Sequence, residues 1–167
     1  MGVVAILKWV IKILSFLSVS CFVGVTITVS LQILSRWIPF SFIWTEELTR
    51  YFFLYGICFA APLALIRNEY INVDLLINRF SEKGKRVAHT CIYLSILLVS
   101  VILIKEGYAF TLLGNNQSSA TMPFKMSVIH ASMLIMGCFL FLFSLIRIGF
   151  YVANKKNPYE VEGGGGI

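Results

Sequence analysis

The sequence predicts an all-α membrane protein of four transmembrane helices with very little mass outside the bilayer. Three observations carry this. Four apolar stretches, 13–34, 48–66, 87–104 and 126–146, are each near or above the ~18 residues that cross a ~30 Å hydrocarbon layer. Of the 167 residues, 58% are hydrophobic and only 13% charged, about half the charged share of a soluble domain. The segments between the stretches are too short to hold a soluble domain. The polypeptide therefore divides into a four-helix domain over 1–153 and a polar tail over 154–167, where Gly163–Gly166 reads as a flexible linker or an appended sequence.

Charge sets the orientation. Lys8, Lys12, Arg67, Arg79, Lys83, Lys85, Arg86, Arg147, Lys155 and Lys156 flank one side, against Arg36, Arg50 and Lys125 on the other. That bias places both termini in the cytoplasm. The net charge of +6 thus reflects topology, and nothing in its distribution points to nucleic acid. The first stretch is too long for a cleaved signal and reads as an uncleaved anchor. Its entry, Lys8-Trp9-Val10-Ile11-Lys12, suits an interface, with both lysines on one helix face.

In the first span Ser18, Cys21, Thr28, Gln32 and Ser35 share a stripe with Val25. Small and hydrogen-bonding residues on one stripe favour close helix contact in lipid. The second span has a small-residue face, Gly56, Ala60 and Ala64, and Pro62 predicts a kink there. These faces serve either to hold the four helices together or to meet a larger partner. The four cysteines, one per span, read as small buried hydrophobes.

Trp44-Thr45-Glu46-Glu47-Leu48-Thr49-Arg50-Tyr51 opens the second span. Thr45 suits an N-cap and the two acids complement the positive helix end. Arg50 can pair with Glu46 or Glu47. Structural anchoring and contact with another protein are both open readings of this cluster. Between spans two and three, Val73, Leu76, Ile77 and Phe80 recur at helical spacing with Asp74 on the opposite face. This predicts a short amphipathic helix on the inner membrane surface, against lipid or a partner.

No span centre carries a charged residue. Lys105 and Glu106 fall ~27 Å along the third span, near its outer end. Coupled carriers commonly place ionisable groups near the midplane, so this polypeptide is a poor candidate for coupled transport by itself. No nucleophile–base pair, metal spacing or phosphate loop supports enzymatic chemistry, and no cofactor is expected in this chain. Two other classes deserve naming. A haem-binding anchor of a respiratory enzyme would need His89 and His130, which sit at opposite membrane sides. A self-sufficient small multidrug exporter would need an acid in its first span, which is lacking here.

At these residues the chain resembles the small membrane subunit of tripartite ATP-independent periplasmic (TRAP) transporters, the DctQ family. Arg36-Trp37-Ile38-Pro39 followed by Trp44, Glu46, Glu47 and Arg50 is close to the family's W-x-E-E-x-x-R pattern. Tyr70-Ile71-Asn72-Val73-Asp74 matches a second signature, with Tyr70 where the family often has histidine. Ser118-Ser119-Ala120-Thr121-Met122-Pro123 is like a small-polar run ending in proline. The resemblance implies a bacterial inner-membrane location and tight association with a large multi-span subunit that binds substrate and sodium. It also implies a periplasmic binding protein delivering an organic anion, of the sialic acid or C4-dicarboxylate type. The small subunit is then a scaffold, with Trp44, Glu46, Glu47 and Arg50 at a partner interface.

Overall fold

The computed structural model describes residues 2–37, 43–67 and 82–152. Four helices account for nearly all of them: α1 (Gly2–Ser35), α2 (Ile43–Ile66), α3 (Glu82–Gly114) and α4 (Ser127–Val152). Each is long and apolar enough to cross a membrane. The expected amphipathic helix (Val73, Asp74, Leu76, Ile77, Phe80), the Tyr70–Asp74 signature and the tail over 154–167 lie outside the described residues.

The helices outrun the apolar stretches that reveal them. α1 has 34 residues, about 51 Å of helix, and begins eleven residues before Ile13. No proline or glycine pair interrupts Ala5 to Lys12, so the lysines sit on continuous helix. α3 likewise runs ten residues past Ile104. Lys105 and Glu106 are therefore inside a helix, exposed, with their charged groups 4.0 Å apart. α1 ends by tightening: Arg36 and Trp37 donate their N–H groups to Ile33 and Leu34 at 3.2 and 3.0 Å, the 3₁₀ pattern typical of a final turn. α2 begins at Ile43, so Thr45 stands within the first turn rather than before it. The helix continues through Pro62.

Packing is serial: α1 lies on α2, α2 on α4, and α4 on α3. α2 and α4 form the inner pair, and α1 and α3 leave most of their surface open. The α1 seam repeats every 3.5 residues through Leu7, Ile11, Leu14, Ser18, Cys21, Val25, Thr28, Gln32 and Ser35, all buried or half-buried. A strict 3.5 repeat keeps one stripe facing a neighbour along the whole helix. The apolar core gathers at the end holding the start of α1 and the end of α4, around Leu7, Leu14, Leu63, Ile66, Tyr93 and Phe143. Arg67 reaches across that end to Ser15 Oγ at 2.9 Å.

Candidate functional site

The opposite end carries the Trp44–Tyr51 cluster and the connection between α3 and α4. That connection is compact. Three tightening turns follow Gly114, and Ser118 and Lys125 then form an antiparallel bridge. Ser119 N–H donates to Phe124 O at 3.0 Å, and Met126 N–H donates to Gln117 O at 2.9 Å. Gly114 is needed here, because a Cβ would lie 2.5 Å from the backbone nitrogen of Ser127.

Glu47 joins this connection to α2. Its Oε1 accepts from Ser119 Oγ at 2.6 Å and from the Tyr51 hydroxyl. Its Oε2 accepts from Thr121 N–H at 3.0 Å and from Thr121 Oγ1. A carboxylate offers about four acceptor positions, so the chain's own donors fill them all. Ser119 Oγ in turn accepts from Met122 N–H at 3.1 Å. Below this, the Tyr51 ring meets Phe124 at 5.4 Å between centroids, tilted by 58°. Glu46 and Arg50 behave differently. Their groups approach to 3.7 Å on an exposed helix face, side chains 81% and 66% accessible, where an ion pair contributes little to stability. Trp44 is exposed beside them.

Under the connection lies an apolar crevice of about 550 Å³. Leu48, Tyr51, Phe52, Tyr55 and Phe59 of α2 line one wall, with Cys21, Phe124, Val128 and Ile129 completing it. Tyr55 crosses the gap to donate its hydroxyl to Val128 O.

The polar stripe of α1 is used on α2. Gln32 Nε2 donates to Thr49 Oγ1 at 2.9 Å, Thr49 Oγ1 to Thr28 Oγ1 at 2.8 Å, and Thr28 Oγ1 to Gly24 O at 2.9 Å. Each hydroxyl has one proton, and Thr45 O at 2.8 Å and Val25 O at 3.0 Å compete for those of Thr49 and Thr28. Ser18 Oγ approaches Gly56 O at 3.4 Å, and Cys21 packs on Gly56. Ala60 and Ala64 are half-buried on α2. Ser18, Cys21, Thr28, Gln32 and Gly56 thus meet where α1 lies on α2. Thr49 had escaped the sequence reading, although it lies one heptad before Gly56.

At the core end, Arg147 is 1% exposed, inside α4 rather than on an open flank. Its Nε donates to the Tyr93 hydroxyl at 3.0 Å, while Ser144 Oγ donates to Tyr93 O at 2.8 Å. The histidines stand far apart. His130 stacks on Phe110, 21 residues along α3 from His89, or about 32 Å, so a single haem cannot bridge them.

The family model for the DctQ component of tripartite ATP-independent periplasmic transporters matches residues 25–149. The chain belongs to the DctQ family. It is thus a multi-pass small subunit of a TRAP transporter, from a transporter family and not an enzyme family. It is also similar to the sialic acid TRAP transporter permease protein SiaT of Haemophilus influenzae (strain 86-028NP), 28% identical over 102 residues. That match spans 60% of this chain and 17% of the relative. The family match contains both the Glu47 cluster and the connection it holds.

Proposed function

We propose that this chain is the non-catalytic scaffold subunit of a sodium-coupled TRAP transporter for organic anions. In this reading it sits in the bacterial inner membrane with both termini in the cytoplasm. A large multi-span subunit binds sodium and solute and moves against it. A periplasmic binding protein docks at the end that carries Glu46, Arg50 and the 115–126 connection. The similarity to a sialic acid permease favours a sialic acid-type substrate.

The observation that carries the scaffold role is how the polar groups between α1 and α2 are used. Gln32 and Thr28 bond to Thr49, and Ser18 to Gly56 O, across the seam. Such groups hold helices together in lipid. The widely exposed faces of α1 and α3 leave ample surface for a larger subunit or lipid. Co-expression with the large subunit tests the proposal. The two should purify together in mild detergent, and a Glu46→Ala/Arg50→Ala pair should slow binding-protein-dependent uptake while leaving co-purification intact. Recovery of the small subunit alone, from cells making both, would overturn the scaffold role.

A further inference from the structure

The paired acids of the Trp44–Arg50 motif are adjacent in sequence yet meet different surroundings. Glu46 touches Arg50 on an exposed face. Glu47 turns to the α3–α4 connection, where Tyr51, Ser119 and Thr121 occupy both its oxygens. Every one of these partners lies 4 to 74 positions away within the same chain. Its acceptor capacity is therefore committed before any partner arrives.

We infer that Glu47 is a positioning residue: a latch that sets the 115–126 connection as a preformed platform, while Glu46 and Arg50 face the partner. The physical ground is that loop ordering costs conformational entropy. A loop already held in its bound shape does not lose that freedom again on docking. Residues 115–118, 120, 123 and 125 present exposed side chains, whereas Ser119, Thr121 and Phe124 reach side chains of α2 and Met122 is half-buried. The alternation separates an anchored side from a presented side. Charge-assisted hydrogen bonds are the stronger class, and the latch uses four of them on one carboxylate. This assignment rests on the docking role proposed above for this end of the bundle.

The test uses the complete complex of small and large subunits in liposomes, with binding protein added at the outer face. On a background lacking Cys21, Cys58, Cys91 and Cys138, a nitroxide at Ala120→Cys reports loop order. Glu47→Gln replaces an acceptor oxygen with a donor amide facing Thr121. It should convert an ordered nitroxide spectrum to a mobile one. It should also raise the half-saturating binding-protein concentration roughly tenfold, with the maximal uptake rate within about twofold. Glu46→Gln should leave the nitroxide spectrum unchanged. An unchanged spectrum in Glu47→Gln overturns the latch, as does equal loosening by Glu46→Gln. A mobile loop with unaltered half-saturation upholds the latch and refutes docking on this surface. If Glu47→Gln fails to assemble, a Ser119→Ala/Thr121→Val pair decides: it removes both side-chain donors of the connection, and an immobile loop there overturns the inference.

Discussion

Glu47 and Thr121 stand 74 positions apart in the chain, yet the backbone N–H of Thr121 donates to Glu47 Oε2 at 3.0 Å. The contact ties the first turn of α2 to the connection between α3 and α4, at the end of the bundle where α2 and α4 enclose the apolar crevice. A backbone donor fixes the loop itself, which side-chain contacts alone would do less firmly. The Trp44–Arg50 motif and the Ser118–Pro123 run, one on each side of this bond, thereby become a single structural unit.

Tyr51 should matter less than Glu47 to that unit. Tyr51→Phe removes one donor from Oε1 and keeps the ring on Phe124, so Ser119 still serves that oxygen. The expected loss is about 1 kcal/mol, read as a small fall in thermal stability of the complex. A collapse as large as that of Glu47→Ala would show that the hydroxyl, and not the carboxylate, organises the site.

The Gln32–Thr49–Thr28 relay predicts coupled losses. Thr49→Val removes both interhelical bonds at once and should cost on the order of 0.6 to 1.7 kcal/mol, the range for such bonds in membranes. Thr28→Val and Thr49→Val together should cost less than the sum of the two alone, because they share a bond. Thermal denaturation of the parent and these three variants in detergent checks this, and strict additivity would contradict the relay.

This relay also shows how far the amino-acid sequence could be read. Ser18, Cys21, Thr28 and Gln32 were legible as one stripe because a 3.5 repeat survives any choice of partner. The partner was not legible: Thr49 hides in a charged helix start, where hydroxyls usually suggest capping. Lys8 and Lys12 made the early part of α1 look like a membrane entry and masked the continuation of the seam to Leu7 and Leu14. Glu47 was recognised as part of a motif, but three of its four bonds come from Ser119 and Thr121, more than seventy positions later. No local period encodes such a pairing. Arg147 was read as a flanking charge, whereas its burial against Tyr93 depends on how α3 meets α4.

Tyr93→Phe should destabilise the core end. The hydroxyl accepts from Arg147 at a site where both residues are 1% exposed. Removing an acceptor from buried donors costs about 1 to 3 kcal/mol. Arg147→Lys should also lose stability, since a compact ammonium cannot repeat the guanidinium geometry over the ring, now 5.1 Å from its centroid. A lysine variant as stable as the parent would contradict that account.

Gly114→Ala tests the close approach of α3 and α4. Its new Cβ would fall 2.5 and 2.6 Å from the Ser127 backbone N and Cα, which cannot yield as a flexible side chain would. Overpacking of this kind typically costs 1 to 3 kcal/mol, and the connection held by Glu47 should shift with it. Nitroxide distances between the two helix ends would report the displacement.

Sidedness is open to direct labelling. With the native cysteines removed, Ser118→Cys should react with an impermeant maleimide added outside spheroplasts, whereas a cysteine placed at Asn154 should react only after lysis. The reverse pattern would invert the orientation assigned from the lysines and arginines.

Uptake into liposomes of defined subunit composition, prepared without internal sodium, tests the central claim most directly. Given binding protein, a sialic acid-type solute and an inward sodium gradient, vesicles holding this chain alone should accumulate nothing above protein-free vesicles. Those holding it with the large subunit should accumulate solute. Sodium-dependent accumulation by this chain alone would contradict the account.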